Sequence, residues 1–420
     1  MGRNVLIKFD DVVAPVMFTG CRDALALLPD ILPFWPFHEI AEADAPADPL
    51  ISVGETAGGA MLSSPFMERP LVYRDPVDTV CALIVELAWA TLRDRPGLLC
   101  VHGAAVEFAG RLVLFPNTKR VGKSTLTACL SARGMRVFTD DFLPIEVDAG
   151  GLPLGIAGGV AARLRLPLPD DLSDAMKRIT QDNIAAANTR YAYLKPGAGG
   201  LAPRGTRLPF GAIVLLERDA TSEASLLPAD KAEVLSAAIR QNFSRSVNPG
   251  RILQALHFLA SSVEIKTLKY SRAEDAAEAL CKAFSAWPRE ISAARLPVAD
   301  FAEDGEVPVL PEVRERFDSK ALYVRSADTV EYTVDDAHFL ADNNRYAIHR
   351  LNEMSLAVWK LLEEPAPLAD IVDMFCHAFP DTPRQRIDDD ITKLLEMFVG
   401  NGLITAASTR PLETVEGQLE

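Results

Sequence analysis

At 420 residues the chain is too long for one ordinary core and calls for two or three domains. It is 49% apolar and 24% charged, and its net charge of −15 argues against a general nucleic-acid binder, which would carry a basic face. No apolar run reaches the ~20 residues of a membrane span. Acidic residues also stand where a signal peptide would be apolar, so a cytoplasmic protein is expected, with neither membrane nor nucleic acid as partner. The six cysteines are scattered without a C-x-x-C pair, which reads as reduced thiols.

Residues 1–97 form an N-terminal segment expected to pack on the domain that follows. Leu25 to Pro36 is apolar and punctuated by proline, Glu42 to Pro49 is an acidic loop, and Val77 to Leu92 has the spacing of an amphipathic helix. From Leu98 the order is strand, turn, strand, loop, helix, strand. Leu98–Val101 and Ala104–Phe108 flank His102-Gly103, and Arg111–Phe115 is a short apolar strand. Ser124 to Ala132 has helical spacing and stops at Arg133-Gly134. Met135–Phe138 is the next strand, ending at Asp140-Asp141, and Ala212–Leu216 is a strand of the buried type. Alternating strands and helices predict an α/β domain over 98–290.

An acidic, proline-containing linker is placed at 291–315, followed by a second domain over 316–410 and a tail at 411–420. Ala337–Ala341 and Tyr346–Leu351 read as a hairpin around Asp342-Asn-Asn-Arg345. Met354, Val358 and Leu361, and then Ile387, Ile391, Leu394 and Phe398, fall at helical spacing. A hairpin with three short helices predicts a small winged-helix-like α+β module. Leu351, Trp359 and Leu395 are assigned to its core. Asp388, Asp389 and Asp390 are assigned to the first turn and solvated face of the last helix.

The chemistry concentrates at Asn117-Thr118-Lys119-Arg120-Val121-Gly122-Lys123-Ser124-Thr125, which matches the end of G-x-x-x-x-G-K-[ST]. A strand enters such a loop, and its backbone N–H groups converge on phosphate oxygens. Lys123 supplies a point charge, Ser124 can ligate Mg²⁺, and the helix N-terminus adds its dipole. Asn117 stands in place of the first glycine; asparagine tolerates a left-handed backbone best among the other residues. Asp140 and Asp141 lie at the carboxyl end of the next strand, where open α/β sheets place ligand-binding groups. One of such a pair can hold the metal while the other accepts a hydroxyl proton. On an extended chain the two would point to opposite faces and divide these roles. His257, His338, His349 and His377 lack ligand-spaced partners and read as structural. Arg240 to Arg251 is a basic, polar stretch read as a surface loop, with contact to a phosphate or acidic substrate as the alternative.

His102-Gly-Ala-Ala-Val, Gly110-Arg-Leu-Val-Leu-Phe, the phosphate loop and Arg133-Gly-Met-Arg-Val-Phe-Thr-Asp140-Asp141 together resemble the core of the HPr kinase/phosphorylase family. That family transfers a phosphoryl group from ATP to a serine of a small protein. The resemblance implies an α/β P-loop kinase using ATP and Mg²⁺, and a homo-oligomer. Within it Lys123 and Ser124 bind phosphates and metal, Asp140 is the general base, Asp141 assists the metal, and His102 orients the phosphoryl region. The family's second signature, which carries a metal-binding glutamate, has Gly158-Gly-Val-Ala-Ala-Arg163 in its place. This departure bears on the family's reverse activity more than on its kinase activity, and it points to a substrate other than HPr.

The C-terminal residues Tyr346-Ala-Ile-His-Arg-Leu-Asn-Glu353, Val358-Trp-Lys-Leu-Leu362 and Gly400-Asn-Gly-Leu-Ile404 resemble PqqD-like proteins. Such modules capture a leader peptide as an added strand, which implies a peptide or small-protein partner and a place in ribosomal peptide modification. The capturing edge is expected at Ala337–Ala341, walled by the helix from Ile387 to Phe398. The combined expectation is a kinase for a hydroxyl, serine first, on a leader-bearing peptide. A small-metabolite kinase and a nucleotide-sensing adaptor that transfers nothing are the alternatives.

Overall fold

The structure is a computed structural model. It describes residues 3–116, 121–196, 200–244, 247–288, 295–296, 316–342 and 347–407. The chain separates into two compact units, Met1–Val247 with Ala255–Val307, and Asn248–Gln254 with Pro308–Glu420.

The first unit begins with β1 (Asn4–Phe9), β2 (Val16–Thr19), α1 (Arg22–Ile31), β3 (Phe37–Ile40), β4 (Ile51–Thr56), β5 (Gly59–Ser63), β6 (Leu71–Tyr73) and α2 (Pro76–Asp94). The six strands make one sheet in the order β3-β1-β2-β4-β5-β6. Helix α2 starts sharply because Asp75 accepts from Val77 N and Asp78 N and Pro76 occupies the first turn. Phe9, Phe18, Leu28, Val53 and Leu83 are buried between this sheet and its helices, with Ala161, Ala186 and Tyr193 of later segments in the same core.

The large sheet comes next, from β7 (Leu99–His102), β8 (Ala104–Phe108), β9 (Arg111–Phe115), α3 (Lys123–Ala132), β10 (Val137–Thr139), β11 (Phe142–Val147) and β12 (Pro153–Ile156). A small three-stranded sheet is inserted as β13 (Arg163–Arg165), α4 (Asp174–Asp182), β14 (Ile184–Ala187) and β15 (Tyr191–Leu194). The unit finishes with β16 (Arg207–Arg218), β17 (Ser225–Pro228), α5 (Lys231–Arg240), the Ala255–Ser262 part of α6 (Pro249–Ser262), β18 (Glu264–Tyr270) and α7 (Ala273–Phe284). The large sheet runs β10-β8-β9-β16-β12-β11-β7, with β18 also beside β16 and β17 beyond it. The long β16 joins its parts: Arg207–Pro209 pair with β12, while Ala212–Arg218 run parallel to β18 and Phe210–Ile213 parallel to β9. Helices α3 and α7 cover this sheet through Leu126, Cys129, Leu130, Ala276, Ala277 and Leu280, all buried.

The basic stretch Arg240–Arg251 connects α5 to α6, and its described part is structural. Asn242 bridges to Val101, Phe243 N donates to Cys100 O at 2.7 Å, and Cys100 N donates to Ser244 Oγ at 2.7 Å. It extends the sheet beside β7. Among the described residues no helix is long and apolar enough to cross a membrane.

The second unit contains β19 (Leu322–Arg325), β20 (Thr329–Val334), β21 (Ala337–Asp342), β22 (Ala347–Leu351), α8 (Glu353–Leu361), β23 (Ala366–Pro367), α9 (Leu368–Ala378), α10 (Arg384–Gly400) and β24 (Ile404–Ala406). Asn352 caps α8 through a reciprocal pair with Ser355. Leu351, Trp359 and Leu395 are buried in its core with Ile371, Ile391 and Phe398. The predicted turn between β21 and β22 lies at 343–346, outside the described residues.

Two expectations are corrected here. Ala337–Ala341 is not an edge: β21 is the middle strand of β20-β21-β22 and pairs along its length on both sides. The strand that displaces it from the edge is β20, whose alternation of Val330, Tyr332 and Val334 carries the period of a strand. Asp388–Asp390 do not form a first turn either. Helix α10 starts at Arg384, directly after Pro383, a residue whose fixed φ suits a helix entry, so the carboxylates fall one turn later. Asp389 and Asp390 remain exposed.

Candidate active site

The site is assembled at the ends of β7, β9 and β10. Gly122 caps α3 in the left-handed region, at φ +90°. A side chain there would be strained, and its Cβ would sit 2.8 Å from the Tyr270 hydroxyl. That hydroxyl donates to Val121 O at 2.6 Å, so the end of β18 pins the loop where the helix begins. Burial pushes the Tyr270 phenol up to about 12. The tyrosine stays neutral and a donor. Asn117, Thr118, Lys119 and Arg120 lie outside the described residues. Thr125 continues the first turn of α3.

Lys123 is buried, and burial pulls its ammonium below the usual lysine range, against the opposing charges of Asp141 and Asp140. The Arg165 cation adds to the depression. A cation held at this cost in a helix's first turn attracts an anion more strongly than an exposed lysine can.

His102-Gly103 forms the corner between β7 and β8. Gly103 comes so close to the end of β9 that an added Cβ would lie 2.9 Å from Phe115 O, and its N–H donates to Asp141 O at 2.8 Å. The dipeptide therefore fixes the aspartate segment against the strand that enters the phosphate loop. His102 Nδ1 lies 3.1 Å from Asp141 Oδ1.

The two aspartates were expected on opposite faces. They instead occupy the bend between β10 and β11, not extended strand, and both line one cleft. Arg163 draws them together. Its backbone N donates to Asp140 Oδ2 at 2.8 Å and its guanidinium reaches Asp141 Oδ2 at 3.2 Å. Asp140 also accepts from the Ser124 hydroxyl. Burial, and then the neighbouring Asp141, push the Asp140 carboxyl up to about 6, with Arg163 and the Ser124 hydrogen bond opposing. Asp140 thus holds a proton more readily than an ordinary aspartate, and Asp141 is bracketed by His102 and Arg163.

Arg163, Cys81 and Tyr193 are site residues that the sequence did not single out. The Arg163 guanidinium donates to Cys81 Sγ and lies over the Tyr191 ring, 5.0 Å from its centroid. Burial works against this cation, but Cys81, Asp141, Tyr193 and Asp140 outweigh it and hold Arg163 above its usual range. The available signal was its place at the end of Gly158–Arg163. Cys81 comes from α2, some sixty residues before the aspartates, and nothing local marks it.

Among the described residues no group of three or more His, Cys, Asp and Glu is placed to hold a metal. Ser124, Asp140 and Asp141 do offer hard oxygen donors beside a buried lysine. That set fits Mg²⁺, which takes one or two carboxylates and completes its shell with phosphate and water.

Comparison with known proteins gives three findings. Residues 337–404 match the family model of coenzyme PQQ synthesis protein D (PqqD). No curated protein matches the chain as a relative. Among solved structures the Hpr(Ser) kinase/phosphatase from Coxiella burnetii is similar at 10% identity, over 41% of this chain and 85% of that one, with a TM-score of 0.20. The chain thus carries a PqqD-like module at its C-terminal end, behind a mixed α/β unit.

Proposed function

We propose that the chain is an ATP- and Mg²⁺-dependent kinase that phosphorylates a hydroxyl, serine first, on a peptide or small protein. The observation that carries this reading is the convergence of buried Lys123, in the first turn of α3, with the charges of Asp141 and Asp140, the latter hydrogen-bonded to the next residue, Ser124, and raised in pKa. Lys123 and the α3 N-terminus hold the phosphates, and Ser124 and Asp141 hold the metal. Mg²⁺, when bound, supplies charge neutralisation at the phosphates. Asp140 takes the proton of the acceptor hydroxyl, and a carboxyl pushed up to about 6 is a stronger base than an ordinary aspartate while still ionised near neutrality. His102 and Arg163 keep Asp141 oriented.

The PqqD-like module holds the leader of the substrate. With β21 paired on both sides, the leader adds to one of the terminal strands, β20 or β22. Holding it raises the local concentration of the acceptor at the kinase site. The reading places the protein in peptide modification.

The test is mass spectrometry of precursor peptides encoded nearby, incubated with protein and Mg-ATP. A gain of one phosphate that disappears in Lys123→Ala and Asp140→Asn supports the kinase. Nucleotide binding without any gain would leave the non-catalytic adaptor as the better reading.

A further inference from the structure

The space in front of Asp140 has a chemical character that the phosphate chemistry does not require. Its polar rim is Asp140, Asp141 and Arg163, and the walls beyond are apolar. Trp35, Ile84, Ala88, Leu92, Phe142 and Val160 are among its lining residues, with Thr91, Thr139 and Tyr193 as further polar members. The far wall is Arg204, whose guanidinium stacks over Trp35 at 3.5 Å, donates to Gly158 O at 3.3 Å and Thr91 Oγ1 at 3.2 Å, and pairs with Asp11 at 3.3 Å. Both terminal nitrogens of Arg204 thus have protein acceptors, and Asp11 supplies its countercharge.

An acceptor hydroxyl must come within hydrogen-bond reach of Asp140 for the carboxylate to take its proton. Asp140 Oδ2 accepts from Arg163 N, and the carboxyl also accepts from the Ser124 hydroxyl, so those positions are taken. Whatever carries the hydroxyl sits against the remaining side, where the cleft opens. A sugar or polyol would leave its own hydroxyls against Ile84, Leu92 and Trp35 without partners, at a cost for each. An apolar group displaces water from those walls with a gain for each methylene buried.

Building on the kinase reading, we propose that the cleft is an acceptor subsite that selects a hydroxyl adjoining a bulky apolar side chain. In a peptide, this is a serine next to a leucine- or phenylalanine-like residue. The specificity-determining position is Ala88, a small side chain in the lining where a larger one would take up the cleft.

Two experiments test it on the full chain. Serine peptides on a common leader, differing only in the flanking residue, are compared by KM and kcat. Wild type is expected to favour Leu or Phe over Ala or Asp by roughly tenfold or more, mainly in KM, the scale on which an apolar pocket discriminates. Ala88→Phe is expected to abolish that preference while leaving affinity for a non-hydrolysable ATP analogue unchanged. Equal use of all flanking residues by wild type, or an unaltered preference in Ala88→Phe, overturns the proposal. The second experiment needs neither the variant nor turnover: methyl NMR of Ile84 and Leu92 during titration with 2-phenylethanol and with glycerol. Saturable shifts with the aromatic alcohol alone support the subsite, and unmoved methyls overturn it even if peptides are phosphorylated. Shifted methyls with no peptide phosphorylated would instead sink the kinase reading and leave the cleft as an apolar ligand site.

Discussion

The phosphate corner and the apolar cleft share Asp140 and Asp141 and otherwise differ in almost every respect. The corner is polar and local, built from a strand end, a left-handed glycine, one turn of α3 and the bend after β10. The cleft is apolar and assembled from distant segments: Trp35 after α1, one face of α2, the run before β13, and Arg204 before β16. The difference teaches a division of labour. Phosphate recognition depends on backbone N–H groups and fixed charges, which a short contiguous segment supplies. Acceptor recognition depends on shape and dryness, which only packing of several segments can provide.

Substitutions should separate the two. The first large effect is expected from Lys123→Ala, which on the kinase reading removes the charge facing the phosphates and should lower turnover on the order of 10²–10³-fold or more. Its melting curve should stay close to that of wild type, because losing a buried cation relieves a desolvation cost. Asp140→Asn should lower turnover by about 10²–10⁴-fold, the range for a general base, while ATP-analogue affinity measured by calorimetry is kept.

Effects on stability are smaller and mark the units apart. Trp359→Ala opens a cavity in the core of the C-terminal unit, and about 3–5 kcal/mol of that unit's stability is expected to go in denaturant unfolding. Nucleotide affinity should not change. Tyr270→Phe removes the hydrogen bond to Val121 O and should cost about 1 kcal/mol, with weaker ATP binding as the loop loses its pin. If nucleotide affinity is unmoved, Tyr270 only packs.

The smallest effect concerns pH. His349 in β22 is partly buried, its Nε2 finds no hydrogen-bond partner among the described residues, and burial holds its imidazole below the ordinary 6.5. The unfolded chain therefore takes up a proton before the folded module does. The stability this histidine preserves is complete above pH 6.5 and is lost as pH falls from there through the folded value. His349→Gln should flatten that part of the melting-temperature profile. An unchanged slope would show that other groups set it.

Much of the corner was legible in the sequence, because strand, Gly-Lys-Ser and capped helix are neighbours along the chain, and so are His102-Gly103 and Asp140-Asp141. The strands β8 and β9 follow from apolar runs ended by turn residues. The aspartates lie at the carboxyl end of β10 as expected, but the expectation of opposite faces failed because it assumed extended backbone where the chain bends. The edge of the C-terminal sheet failed because β20 was not recognised as a strand. Cys81, Tyr193 and Tyr270 could not be read locally at all: each reaches the site from an element far away in sequence, and only packing brings it there.

The most direct test of the account measures nucleotide affinity and phosphoryl transfer side by side in wild type, Lys123→Ala and Asp140→Asn. Weakened binding in the first variant, and intact binding without transfer in the second, is the predicted result. Transfer that persists in Asp140→Asn at wild-type rate would contradict it, because the acceptor proton would then be leaving by another route.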